Sequence, residues 1–218
     1  MGSLRSLRRK ISLEEGFQPS SADQPDLITQ MGLDLVSACL SRNWLETAFL
    51  LSMGADPNFV DPARNLSILE FALLWDANVG FVKLLLRKGA DVSKTPDALL
   101  GTFSKHQVGK TELLLKHGAD PNVRDTFGRT PLMRSLWRKE RRHIRPLVKY
   151  GADLDAVDSS GTTALMEAAE TNNSSAVREL LKYDADPDIR DSYGKTAMER
   201  GKKWWLVVKA FEDAGIKV

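Results

Sequence analysis

The stretch Asp158-Ser-Ser-Gly161-Thr-Thr163-Ala-Leu165-Met-Glu-Ala168-Ala169 decides the fold, because its pattern recurs along the chain at a constant step. The Thr-Pro/Ala-Leu/Met motifs that begin at Thr130, Thr163 and Thr196 lie 33 residues apart. A second motif, in which Ala-Asp follows the first residue, keeps the same spacing at Gly118, Gly151 and Asp184. A fixed period of this length is typical of stacked repeats, each built from a turn and two short helices.

The sequence resembles the ankyrin-repeat family in Gly128-Arg-Thr130-Pro131-Leu132, in Gly161-Thr-Thr163-Ala164-Leu165 and in its Gly-Ala-Asp turns. The resemblance covers roughly residues 31–218 and implies an all-α ankyrin-repeat solenoid of helix-turn-helix units with hairpin-like turns. We number about six repeats in chain order, spanning about 31–60, 61–93, 94–122, 125–155, 158–188 and 191–218. Each repeat is too small to bury its apolar face alone, so stacking is expected to stabilise the domain.

Residues 1–30 are predicted to form a flexible basic and polar tail, because they carry Arg5, Arg8, Arg9 and Lys10 and few core residues. The start, Met1-Gly2-Ser3-Leu4-Arg5-Ser6, fits an N-myristoylation signal. It equally fits a chance match or a start left by cloning, so both interpretations stay open.

Composition points to an ordinary intracellular protein. The formal net charge is +2, which gives no global attraction to nucleic acid. The single Cys39 excludes an intramolecular disulfide and fits a reducing compartment, and its position indicates a packed thiol. No apolar run has the length of a membrane span. We therefore expect a cytoplasmic chain that is monomeric on its own.

Local signals predict the helix starts and one irregular repeat. Thr130, Thr163 and Thr196 are expected to cap the inner helices of repeats 4 to 6. In repeat 3 the step from Gly89 to Gly118 is only 29 residues, which predicts a shortened turn near Lys94-Thr-Pro96. Asp97 is then expected to cap the inner helix of this repeat.

No motif indicates catalysis or a cofactor. The chain lacks the glycine-rich phosphate-binding motifs and the paired histidines of metalloproteases, and His106, His117 and His143 fall in separate places. Paired acids such as Asp153 and Asp155 belong to turns, where Asp accepts backbone hydrogen bonds. The sequence therefore predicts a protein that is not an enzyme and that needs neither metal nor cofactor.

The resemblance implies a protein partner bound on the concave face, which is built from turn tips and the exposed side of the inner helices. Large aromatic and charged residues at those positions are typical of binding hot spots. The predicted partner-binding residues are Trp75, Thr126, Phe127, Arg129, Trp137, Arg138, Ser160, Glu170, Tyr193 and Trp204. Trp204 and Trp205 could instead seal the end of the stack. The resemblance also implies a possible modification: Asn58 and Asn122 occupy the turn position that asparaginyl hydroxylases modify in ankyrin repeats of animals.

A basic cluster in repeat 4 supports an alternative function. Arg141 and Arg142 precede a helix, where the N-terminus prefers anions, so the fold gains little from them. With the tail, the cluster could bind nucleic acid or anionic lipid; a solvated basic loop is the other interpretation. The candidate anion-binding residues are Arg134, Lys139, Arg141, Arg142 and Arg145.

Overall fold

The computed structural model describes residues 24–74, 79–103, 107–137 and 141–216. Within these ranges the α-helices are α1 (Gln24–Leu40), α2 (Trp44–Ser52), α3 (Ile68–Leu74), α4 (Val79–Arg87), α5 (Val108–Lys116), α6 (Pro131–Trp137), α7 (Ile144–Lys149), α8 (Ala164–Glu170), α9 (Ser174–Lys182), α10 (Ala197–Gly201) and α11 (Trp205–Asp213). Short 3-10 helices span Val92–Lys94, Pro96–Gly101 and Arg141–His143. The chain divides into two compact bodies, an N-terminal body that ends at Asp91 and a C-terminal body that begins at Val92.

The N-terminal body contains α1 to α4 and one two-stranded antiparallel hairpin. Strand β1 (Val60–Asp61) pairs with β2 (Leu66–Ser67), so that Val60 lies opposite Ser67. Its core is built from side chains that are 0–2% exposed, namely Leu35, Leu50, Ile68, Leu69, Phe71 and Leu85. Cys39 is buried in this core, and burial raises the pKa of its thiol to about 11 while the Thr47 hydroxyl opposes the shift. The predicted packed thiol is confirmed.

Helix α1 begins at Gln24, inside the segment predicted as tail. Pro25 is its second residue, where the amide that proline lacks would have no helical acceptor. The prediction of a flexible chain as far as residue 30 is therefore wrong for residues 24–30. The remainder of the predicted tail and the N-myristoylation motif lie outside the described residues.

The C-terminal body holds repeats 3 to 6, whose inner helices are α6, α8 and α10 in the last three repeats. The α8 helix packs between α6 and α10. Fully buried apolar residues fill the space between inner and outer helices: Leu114, Leu132, Leu136, Ile144, Leu147, Met166, Leu180 and Phe211. This succession of short helices follows from the 33-residue period, which returns the same apolar positions to the same face.

Threonine caps begin these inner helices as predicted. Thr163 Oγ1 accepts a hydrogen bond from the Met166 amide at 3.2 Å. Thr196 forms a full capping box, because the Glu199 carboxylate also accepts from the Thr196 amide. Each cap satisfies amides that a helix leaves without acceptors at its start.

Repeat 3 departs from the others in its inner helix. The segment Pro96–Gly101 forms a 3-10 helix, and the residue before it is Thr95. Asp97 lies inside this helix, so the prediction that Asp97 caps it is wrong. Pro96 occupies the first position because proline is favoured there, which moves the helix start ahead of Asp97.

Hydrogen bonds join the turns of neighbouring repeats in the C-terminal body. The Ser159 amide and hydroxyl donate to the Phe127 carbonyl at 3.1 and 2.8 Å. One period later, the Ser192 amide and hydroxyl donate to the Ser160 carbonyl at 3.0 and 2.7 Å. We call this series of contacts the turn ladder. It fixes the distance between successive turn tips and therefore positions the side chains that the tips carry.

Candidate functional site

The turn of repeat 4 is organised by Asp125. Its Oδ1 atom accepts hydrogen bonds from the amides of Phe127 and Arg129, both at 2.9 Å, and Oδ2 accepts from Arg134 Nη1 at 2.9 Å. Burial alone would raise the pKa of Asp125, but the Arg129 amide and the Arg134 guanidinium outweigh it and hold that pKa below its usual value. Asp125 thus remains a carboxylate that fixes the turn.

Three predicted partner-binding residues meet at this turn. The Arg129 guanidinium carbon lies 4.7 Å from the centre of the Phe127 ring and 4.8 Å from the centre of the Trp137 ring. Phe127 is 61% exposed and Trp137 is 55% exposed, so each ring keeps a large accessible surface. Cation–π contacts at such separations contribute about 0.5–1 kcal/mol each. We call Phe127, Arg129 and Trp137 the aromatic clamp.

Arg129 is further held by charge. Its Nε atom lies 3.3 Å from Asp125 Oδ2, close enough for an ion pair although not aligned for a hydrogen bond. Only 22% of the Arg129 side chain is exposed, compared with 8% for Asp125. The clamp is therefore preorganised, because its central cation is bound on two sides by rings and on a third by a carboxylate.

The turn tips carry two further predicted residues. Thr126 is exposed beside Phe127. Ser160 is exposed but its hydroxyl donates to Asp158 Oδ1 at 2.7 Å and contacts Thr162 Oγ1 at 3.0 Å. The Ser160 side chain is therefore used within its own turn, in addition to the acceptor that its carbonyl provides to the turn ladder.

Glu170 is tied to repeat 6 by Arg200. Arg200 Nη1 donates to Glu170 Oε2 at 2.9 Å, and Arg200 Nε donates to Asp191 Oδ2 at 2.7 Å. Arg200 Nη2 also donates to Thr162 Oγ1 at 3.2 Å. Arg200 was missed by the sequence reasoning, although a signal was present: Arg134 and Arg200 each follow a turn aspartate by nine residues.

Glu167 stands in repeat 5 where repeats 4 and 6 carry these arginines. Burial raises the pKa of Glu167, and the charge of Glu170 raises it further, whereas Arg129 and Arg200 lower it. The inner-helix surface of the C-terminal body thus alternates basic, acidic and basic from Arg134 through Glu167 to Arg200.

Tyr193 and Trp204 lie in repeat 6. Tyr193 is 80% exposed at the turn tip. Trp204 is partly exposed, its Nε1 donates to the Glu170 carbonyl at 3.2 Å, and Lys203 Nζ lies 5.1 Å from its ring centre. Trp204 is thus anchored to repeat 5. Trp205 is 69% exposed in α11, so it does not pack against the end of the C-terminal body.

The candidate anion-binding cluster is divided by the structure. Arg134 forms an ion pair with Asp125, and its charge balances that buried carboxylate in the turn. Arg141 Nη1 lies 3.3 Å from Glu179 Oε2, whereas Arg142 and Arg145 are exposed. Lys139 lies outside the described residues, as do Trp75 and Arg138 from the partner-binding set. Two of the five candidate residues, Arg134 and Arg141, are therefore already paired with carboxylates of the protein.

Part of the C-terminal body matches a known protein family. The model for ankyrin repeats in three copies matches residues 100–199. Residues 100–199 carry ankyrin repeats. The predicted resemblance and the predicted ankyrin-repeat fold are confirmed, and ankyrin repeats are in general modules for protein–protein interaction.

Two solved ankyrin-repeat structures resemble the chain. One is the crystal structure of EF0377, an ankyrin repeat protein, with a TM-score of 0.73, 23% identity, and coverage of 82% of this chain and 96% of that one. The other is the ankyrin repeat domain of Bcl-3, a member of the IkappaB family, with a TM-score of 0.71, 21% identity, and coverage of 82% and 81%. At these identities the likeness shows the fold alone.

A curated relative matches by sequence. The transient receptor potential channel pyrexia of Drosophila melanogaster is 34% identical over 98 residues, which are 44% of this chain and 10% of the channel. The chain therefore spans a tenth of the length of that relative. Among the described residues, no helix has the length and apolar character needed to cross a membrane. The same residues contain no group of three or more His, Cys, Asp or Glu side chains placed to hold a metal ion.

Proposed function

We propose that this ankyrin-repeat chain is a non-catalytic module that binds a protein partner through its concave face as a monomer. The observation that carries the proposal is the aromatic clamp. Two exposed aromatic rings on either side of a fixed arginine combine apolar area with directed charge, and these residue types dominate binding energies at protein interfaces.

The clamp suits binding because the free chain already holds it in place. Association costs free energy when long side chains must be ordered at the interface. The Arg129 side chain is ordered before binding by Asp125 and by both rings. A partner would therefore meet a rigid surface of about three side chains, flanked by the exposed Thr126 and by the turn of repeat 5.

The first test is affinity capture with the tagged chain, identification of the captured protein by mass spectrometry, and titration of the purified pair by calorimetry. Trp137→Ala is expected to weaken binding by about 2 kcal/mol or more, because it removes one wall of the clamp. Phe127→Ala is expected to act in the same direction.

Trp205→Ala is the matched control, because Trp205 is also an exposed tryptophan, 69% compared with 55% for Trp137, and lies on the outer helix α11. It should leave the affinity within about 0.5 kcal/mol of the wild type. If Trp137→Ala leaves the affinity unchanged while Arg141→Ala with Arg142→Ala abolishes binding, the clamp is not the site and the anion-binding alternative gains support.

A further inference from the structure

A groove of about 450 Å³ opens in repeat 6, and two of its lining residues, Glu170 and Tyr193, belong to the proposed binding surface. It lies wholly within the C-terminal body and receives residues from the turn tip, from α10 and from the end of α8. The residues that line it are Glu170, Asp191, Tyr193, Lys195, Glu199, Arg200, Lys202 and Lys203. Seven of these eight side chains carry charge. Only those that are not paired with other groups of the protein are free to bind a ligand.

The three acids of the groove are bound by the protein's own donors. Asp191 accepts the amides of Tyr193 and Lys195 and the Arg200 guanidinium. Glu170 accepts Arg200 Nη1. Glu199 accepts the Thr196 amide at 2.8 Å and lies 3.4 Å from Arg190 Nη1. The same contacts occupy Arg200, whose nitrogens donate to Asp191, Glu170 and Thr162.

The three lysines differ from the acids in this respect. Lys195, Lys202 and Lys203 are exposed, and none has a carboxylate within ion-pair distance in the part of the chain that the structure describes. An aromatic surface lies beside them, formed by the exposed Tyr193 and by Trp204, whose ring centre is 5.1 Å from Lys203 Nζ. The groove thus has four basic and three acidic side chains, a net charge of +1, and its three lysines lie outside ion-pair distance of the acids and next to partly exposed rings. The charge of Lys202 nevertheless contributes, after the Thr196 amide and Arg190, to the lowered pKa of Glu199.

We infer that this groove binds an acidic segment of the partner protein, with carboxylates that meet the three lysines and an apolar or aromatic side chain against Tyr193. This inference rests on the proposed function, since it names the chemistry of the partner at the same surface. A peptide fits better than a nucleic acid, because the three fixed carboxylates of the groove repel a continuous polyanion. A peptide can place single charges over the lysines and keep neutral residues near the acids.

The test is selection from a random peptide library displayed on phage, with the wild-type chain as target. Enriched peptides are expected to carry an excess of Asp and Glu together with an aromatic or aliphatic residue. Their synthetic, fluorescently labelled versions should bind roughly tenfold more weakly to the triple variant Lys195→Gln, Lys202→Gln, Lys203→Gln, which is the combined effect of three exposed ion pairs.

The matched control removes the same amount of charge from outer helices, by Lys116→Gln, Lys182→Gln and Lys209→Gln. These lysines are equally exposed, so this variant should bind the peptides within about twofold of the wild type. Circular dichroism melts of both triple variants verify that the fold is retained. A labelled single-stranded oligonucleotide serves as the polyanion probe and is expected to bind more weakly than the peptides.

The inference is overturned if no peptides are enriched, or if the enriched peptides lack excess acid or bind the groove variant as tightly as the wild type. It is also overturned if the oligonucleotide binds as tightly as the peptides. The captured partner separates this inference from the proposed function. If its affinity depends on Trp137 and not on the three lysines, the groove inference fails and binding at the clamp stands. If acidic peptides need the lysines while the captured partner is insensitive to Trp137→Ala, the clamp proposal fails instead.

Discussion

At Gly161 both the backbone conformation and a close contact disfavour any side chain. Its φ of +75° is a backbone conformation that side-chain-bearing residues rarely adopt. A Cβ atom there would lie 3.0 Å from the Ser192 nitrogen and 3.1 Å from the Asp191 Cα. Both neighbours are backbone atoms of the turn ladder, so they cannot move without disturbing the next repeat.

Gly194 provides a matched comparison, because its φ is +72° and no atom lies within 4 Å of an added Cβ. We expect Gly161→Ala to lower the midpoint of urea unfolding more than Gly194→Ala does. The strained conformation should cost both variants roughly 1–3 kcal/mol, and the contact adds to it only at Gly161. Equal midpoints would contradict the role assigned to the close contact.

Cys39 gives a pH dependence whose sign is fixed by burial. The pKa of its thiol is about 11 in the folded chain and 9.0 without the protein environment. Because burial disfavours the thiolate, this contribution to stability is complete below about pH 9 and is lost as the pH rises toward about 11.

The shift corresponds to at most about 3 kcal/mol of unfolding free energy. We expect the unfolding free energy of the wild type to fall more steeply between about pH 9 and 11 than that of Cys39→Ala. Lysine and tyrosine titrations are common to both proteins and cancel in the difference. Parallel curves would show that Cys39 is accessible to solvent.

The inner helix of repeat 3 is the weakest of the inner helices in the C-terminal body on physical grounds. The segment Pro96–Gly101 is a 3-10 helix, which has poorer hydrogen-bond geometry than an α-helix. Gly101, at the end of this helix, and Gly109, in the outer helix α5 of the same repeat, add a cost of up to about 1 kcal/mol each relative to alanine. Both helices of repeat 5 are α-helices with side-chain caps, which Thr163 and Asn173 provide.

Hydrogen exchange tests this difference directly. Amides in residues 97–103 and 107–117 are expected to exchange faster than amides in residues 158–183, because local opening follows local packing and hydrogen bonding. Exchange in repeat 3 that is equal to or slower than exchange in repeat 5 would contradict the prediction.

Sequence reasoning succeeded where one residue determines one local feature. Thr163 and Thr196 were recognised as caps because a cap needs only a side-chain oxygen placed before a helix. It failed where two residues compete for one role. Arg134 appeared to belong to the basic cluster of repeat 4, but the carboxylate of Asp125 accepts it, and that pairing is visible only when turn and helix are folded together.

The sequence predicted which residues form the candidate site better than it predicted their contacts. Trp137 was expected beside Phe127 with Arg129 at its border, because the repeat period places the turn tip next to the end of the inner helix. The contacts of the Arg129 guanidinium with both rings did not follow, because they depend on side-chain directions around the turn. The lysine groove was also missed, since the charges that the fold leaves unpaired can be identified only after the paired ones are known.

The chain as a whole has a formal net charge of +2, so long-range attraction to polyanions is weak. We expect the complex with a protein partner to lose less than about tenfold in affinity between about 50 and 200 mM salt, because the clamp contributes apolar area. Binding to a nucleic acid through several phosphate contacts would fall by on the order of a thousandfold. A salt titration of the captured complex checks this, and a thousandfold loss would favour the anion-binding alternative.

The turn ladder has a consequence for how such a chain can lengthen. Each joint needs a donor from one turn and an acceptor from the turn before it, and repeat 5 supplies both, through Ser159 and through the Ser160 carbonyl. A tandem duplication of one 33-residue period, residues 158–190, would therefore place the second Ser159 against the first Ser160, in the register that Ser192 now occupies. The copied segment would contain both the donor and the acceptor without any substitution. Insertion of a whole period would therefore preserve the turn ladder, whereas insertion of a shorter segment would break it.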